Sequence, residues 1–219
     1  MAVIHRRMNR RDFLRLSVLG CACCAVPALA ETDSATARMP RALGLRGDLI
    51  PDGKFGRQIH ERLRATYITV HSTGSPGGTA AAHGRLLRTG KIKAKTKWNK
   101  RGYNFWHFTV DDVETVQHLP LDERGEHADH EGPGNSTSIG IEICEFREPA
   151  RQRAAIERCA KLVAWLRSKY RIPLDHVVPH YFWTMVHYYN WHKPCPRILL
   201  DGGKPGAKWN AFLALVRRS

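Results

Sequence analysis

The stretch HYFWTMVHYYNWHKPCP, residues 180–196, places three histidines and one cysteine within seventeen residues. Imidazole and thiolate are the preferred protein ligands of zinc. A further histidine, His71, ends the upstream run YITVH. A histidine that leaves a strand into a turn can reach a cleft while its backbone stays rigid. Alone it reads as an ordinary hydrogen-bonded residue. With a second histidine and Cys195 it completes a three-ligand set. Three protein ligands leave one position of a tetrahedral ion open, the pattern of catalytic zinc, whereas structural zinc closes with a fourth.

Such a set needs rigid supports. In TYITVHST, Tyr67, Thr69 and His71 alternate with Ile68 and Val70, the period of two that predicts a strand. GSPGG breaks it, and TAAAHGRLLR reads as a short helix. NFWHFTVDD predicts a second strand, with Phe105, His107 and Thr109 on one face and Trp106, Phe108 and Val110 on the other. ETVQHLPL is its expected hairpin partner. SIGIEICEF predicts a third strand, with Ile139, Ile141 and Ile143 toward the core and Ser138, Gly140, Glu142 and Cys144 opposite. From Pro149 to Tyr170 the apolar residues fall at steps of three and four, which predicts a helix. AKWNAFLALVRR predicts another, with its cationic end where the helix dipole favours it. The pattern is that of a single α/β domain, a β-sheet flanked by helices. His71, His107 and Glu142 share the face away from the apolar residues, and converging polar groups on one sheet face suggest a site.

Length and charge bound the setting. A chain of 219 residues holds one domain with a full core plus a leader. The net charge of +15 suits an anionic partner or simply a soluble basic surface. The N-terminal NRRDFL, followed by small and apolar residues and Ala28-Leu29-Ala30, resembles a twin-arginine export signal, with cleavage expected after Ala30. Lipoprotein cleavage before Cys21 and a retained N-terminal anchor are the rival readings. Losing residues 1–30 removes five Arg and one Asp, so the charge falls from +15 to +11 and the basicity stays with the exported domain. Export to a periplasm-like compartment points to the cell wall or membrane surface and away from nucleic acid. Three cysteines remain in the mature chain, Cys144, Cys159 and Cys195. One metal-bound thiolate plus a pair, or plus two buried thiols, accounts for the odd number. Residues 31–60 read as an N-terminal arm or linker, and 61–219 as the functional domain.

The blocks ITVHSTGSPGGTAAAHGRLLR, NFWHFTVDD with VQHLPLDE, GPGNSTSIGIEICE, DHVVPHYFW and HKPCPRIL, in this order, resemble the type-2 N-acetylmuramoyl-L-alanine amidases. That family shares its fold with phage lysozyme-type zinc amidases and peptidoglycan recognition proteins. The resemblance implies a central mixed β-sheet flanked by helices. It also implies a Zn2+ cofactor and hydrolysis of the amide between N-acetylmuramic acid and L-alanine in peptidoglycan or muropeptides. By the same resemblance His71, His180 and Cys195 are the metal ligands, and Glu142 and Lys193 are the catalytic pair. A non-catalytic peptidoglycan-binding module is the alternative, and Cys195, the ligand such relatives often lack, argues against it. A monomer is expected.

One departure from the family pattern stands out. Fourteen residues separate His180 from Cys195, whereas seven separate His187 from Cys195, the interval common in the family. His180 keeps the preceding block and requires an insertion, which a surface loop tolerates. His187 is the rival ligand. Under the first alignment Tyr188 and Trp191 belong to an aromatic rim suited to sugar rings, and His107 is a candidate for the substrate groove or for a supporting role.

Overall fold

The computed structural model describes residues 41–185 and 191–219. The signal segment, the first part of the arm, and His187 and Tyr188 lie outside the described residues.

Six strands form one mixed sheet. They are β1 (Leu45–Gly47), β2 (Tyr67–Pro76), β3 (Phe108–Val110), β4 (Thr115–Gln117), β5 (Ser138–Glu145) and β6 (Val177–Pro179), in the order β1-β4-β3-β5-β2-β6. Only β3 and β4 pair antiparallel, as the hairpin reading expects; β1–β4, β3–β5, β5–β2 and β2–β6 are parallel. The helices are α1 (Ala80–Arg88), the short α2 (Pro133–Thr137), α3 (Pro149–Tyr170) and α4 (Ala207–Arg218).

The core follows from the alternation. Ile68 and Val70 of β2 and Ile139, Ile141 and Ile143 of β5 are fully buried in one apolar cluster. Cys159, Val163 and Leu166 of α3 and Trp209, Phe212 and Val216 of α4 pack into the same cluster. Each fully buried isoleucine contributes roughly 1.5–3 kcal/mol relative to exposure. Side chains alternate across a strand, so the same burial directs Thr69, His71 and Glu142 to the opposite face. Helix α3 starts with Pro149 in its first turn, where a missing N–H costs nothing. It ends where Arg171 turns left-handed at φ 55° and donates its N–H to Arg167 O. Cys144 and Cys159 are free thiols buried in the main core.

Three local expectations change. Strand β2 runs on through the Gly-containing turn signal to Pro76, with a register shift between Ser72 and Pro76 and Gly74 at φ +64°. Strand β3 is shorter than its sequence pattern. Phe105 and Trp106 both enter a second apolar cluster with Ile50, Leu87 and Leu119, so the alternation begins only at Phe108. Residues 41–60, read as arm or linker, join the fold: β1 is one edge strand of the sheet, and Leu43 and Ile50 are fully buried.

Candidate active site

Three segments converge above the polar face of the sheet. Strand β2 delivers His71. A one-turn 3-10 helix, His180–Phe182, starts directly after β6 and delivers His180. The segment after strand β8 (Trp191–His192) delivers Cys195, and Tyr181 N donates to Cys195 O at 3.0 Å, tying the last two segments together. His71, His180 and Cys195 are 1%, 2% and 6% exposed, so each has left bulk water. His180 Nδ1 lies 2.9 Å from His71 Nδ1, and Cys195 Sγ lies 3.9 Å from His71 Nδ1. One ligand atom from each of the three residues lies within 4.8 Å of the others.

Hydrogen bonds orient the rings. His180 Nε2 is 3.0 Å from Ala128 O, which can only accept. His180 Nε2 therefore carries the proton, and Nδ1 turns a lone pair toward the cluster. His71 Nε2 is 3.1 Å from His127 Nδ1, on the side away from the cluster. Burial, then the neighbouring His180, His127 and Lys193, hold His71 well below the usual histidine range. Burial and Lys193 do the same for His180. Burial, with Glu142 adding to it and Lys193 opposing it, pushes the Cys195 thiol up to about 12. Two neutral imidazole nitrogens and a buried sulfur, facing one another, make a donor set that suits a divalent ion of borderline softness. Such an ion would reverse the burial effect on the thiol. The residues present fit a metal.

Glu142 pairs in register with His71 across β5 and β2. It is half-buried, and its Oε2 has no hydrogen-bond partner among the described residues. Burial lifts its carboxyl to about 8; Lys193 opposes the shift and Glu145 adds to it. Glu145 is itself held by Arg197 and by Gly74 N. A cavity of about 420 Å³ opens onto this group and is lined by Glu142, His180, His127, Lys193, Met185 and Trp106, among others. Lys193 is exposed at its rim. A raised carboxyl beside a cation and a metal-competent cluster is an arrangement for moving a proton at about neutral pH.

The N-acetylmuramoyl-L-alanine amidase family model matches residues 61–198. The chain belongs to this amidase family. It is 40% identical over 170 residues to N-acetylmuramoyl-L-alanine amidase XlyA of Bacillus subtilis (strain 168), covering 76% of this chain and 49% of that protein. It is 39% identical over 171 residues to CwlH of the same organism, covering 77% of this chain and 59% of that protein. The chain thus spans about half the length of the curated relatives it matches. The solved catalytic domain of XlyA superposes with a TM-score of 0.63 at 39% identity, covering 78% of this chain and 98% of that domain. The family resemblance read from the ordered blocks, and the α/β fold with a central mixed sheet, are both borne out.

Within this amidase fold the sequence-expected residues fall in different places. His71, His180, Cys195, Glu142 and Lys193 gather at one site. The segment between His180 and Cys195 contains two paired antiparallel strands, β7 (Thr184–Met185) and β8, and Met185 reaches the cavity wall. Trp191 on β8 is 50% exposed. His107 does not face the groove, which corrects the expectation of substrate contact. It is fully buried, its Nδ1 accepts from Gly140 N at 3.0 Å, and its Nε2 lies 2.9 Å from Glu123 O. Both ring nitrogens are committed to backbone, so its role is internal. Sequence reasoning missed His127, which contacts His71 from a Gly-rich loop. The one signal in the chain was a histidine close upstream of the block carrying Glu142.

Proposed function

We propose that this chain is a zinc-dependent N-acetylmuramoyl-L-alanine amidase acting on peptidoglycan or muropeptides. The observation that carries the reading is the meeting of His71, His180 and Cys195 beside the unpartnered carboxylate of Glu142. His71, His180 and Cys195 would hold a zinc ion, which when bound would supply a Lewis acid for the amide carbonyl and a water of pKa roughly 7. Glu142 takes the proton from the attacking water and passes it to the departing L-alanine nitrogen. Lys193 stabilises the negative charge that develops on the carbonyl oxygen, a contribution of roughly 3 kcal/mol when preorganised. Lys95 on the cavity wall complements the carboxylates of a peptide stem, and Trp106 and Met185 its apolar parts. The half-exposed Trp191, with Tyr188, is suited to stacking on sugar rings.

The N-terminal pattern of residues 1–30 supports export to the periplasm by a twin-arginine signal, and the basic charge suits an anionic wall. No described helix is long and apolar enough to cross a membrane.

Incubation of zinc-loaded protein with purified wall tests the reading. New amino-terminal alanine should appear, and should vanish with chelator or with Cys195→Ser. Wall binding that survives chelation without any product would leave a binding module instead.

A further inference from the structure

One loop serves both histidines of the site. Ala128 O receives the Nε2–H of His180 at 3.0 Å, and the adjacent His127 places Nδ1 3.1 Å from His71 Nε2. The His71 and His127 rings meet edge to face, 5.1 Å apart at 88°. The loop is clamped from beneath. Asn135 Oδ1 accepts from His127 N at 2.8 Å and from Ala128 N at 2.7 Å. Asn135 Nδ2 in turn donates to Glu126 Oε1 at 2.9 Å and His130 O at 2.7 Å. Asn135 and the His180 acceptor Ala128 are almost wholly buried, so water does not compete for these bonds.

The seat of His127 depends on a missing side chain. A Cβ at Gly140 would lie 2.6 Å from His127 Cδ2, closer than real contacts allow. Gly140 sits on β5 between Ile139 and Ile141, where a glycine weakens a strand. Here its absent side chain lets the imidazole lie flat over the sheet and reach His71.

For His71 to turn an unprotonated Nδ1 toward a metal, its Nε2 must carry the proton, and whatever meets Nε2 must accept it. We infer that His127 is a positioning residue: its Nδ1 accepts the His71 Nε2–H and so fixes the tautomer and ring angle of the first ligand, as Ala128 O does for His180. This rests on the metal-centre reading given above, yet its test needs no substrate.

The experiment measures zinc affinity by chelator competition and the visible spectrum of the cobalt-substituted protein for wild type, His127→Leu and His127→Asn. His127→Leu removes the acceptor, and zinc affinity should fall about 10–100-fold with an altered cobalt spectrum. His127→Asn keeps an acceptor oxygen near the Nδ1 position and should bind within about threefold of wild type. Wild-type affinity and spectrum in His127→Leu overturn the inference. Should His127→Leu fail to fold, nitrogen-15 spectra of zinc-loaded wild type decide the matter. A proton on His71 Nε2 and none on His127 Nδ1 is expected, and the reverse overturns the proposal. Wild type that binds zinc without hydrolysing wall sinks the amidase reading alone, whereas wild type that binds no zinc sinks both.

Discussion

His71 and Glu142 are direct register partners on the adjacent parallel strands β2 and β5. A metal-competent imidazole and a proton-carrying carboxylate are therefore set side by side by the backbone ladder itself. Strand-borne groups hold their geometry more tightly than loop-borne ones. His180 and Cys195 then close on this pair from the sheet edge and the segment beyond it.

Glu142 should trade stability for catalysis. Its carboxyl is lifted from an ordinary 4.5 to about 8 on folding, chiefly by burial. Below pH 4.5 both states are protonated and the group is neutral to stability. Between 4.5 and about 8 the unfolded chain ionises while the folded one keeps its proton, so metal-free stability falls as pH rises and levels off above 8. Glu142→Gln removes this slope. Thermal unfolding of metal-free protein should match wild type near pH 4 and exceed it near pH 8, by an amount on the order of a few kcal/mol. Hydrolysis should fall by at least about 10²-fold.

Cys195→Ser should lose metal without losing the fold. The thiol's nearest ring contact is a long 3.9 Å approach to His71, and its backbone ties to Tyr181 and Lys193 are unaffected by the change. Zinc affinity should fall by more than about 100-fold, since a neutral hydroxyl replaces a thiolate. Circular dichroism should be unchanged; an unfolded variant would contradict this.

Lys193→Met should separate rate from binding. A cation that acts on developing charge contributes to kcat, and its removal should cost about 10²–10³-fold with KM little changed. Lys193 also opposes the upward shift of Glu142. Without it the carboxyl rises further, so the acid limb of the kcat/KM profile should move to higher pH. A limb that stays in place would show that Lys193 does not act on Glu142.

Thr69 should matter for stability and little for the metal. Its Oγ1 accepts the Trp183 Nε1–H at 2.8 Å and lies 2.7 Å from Ser138 Oγ, all in buried surroundings. Thr69→Val orphans the indole N–H and should cost about 1–3 kcal/mol in urea unfolding. Thr69→Ser keeps the oxygen and should recover most of that loss.

Much of this arrangement was legible because it rests on local periodicity. The Ile139, Ile141, Ile143 alternation placed Glu142 on the polar face, and the three-four spacing placed α3 from Pro149 to Tyr170. β1 was not legible: three residues carry no period, and their partner β4 is distant in sequence. His107 misled because a period of two says which face a ring leaves by, not whether a loop covers it. His127 stayed hidden because its meaning depends on a glycine thirteen positions later and on His71. Neither dependence leaves a pattern in the chain between them.

The spacing of the three metal-competent residues carries a consequence for the life of the polypeptide. His71 meets its partners across 109 and 124 residues of chain. A polypeptide still emerging from the ribosome, or one clipped ahead of Cys195, holds at most two of the three donors. Under the proposed function, chemistry at this site would switch on only once all three segments have folded together, so copies lacking Cys195 would be spared a working centre by topology alone.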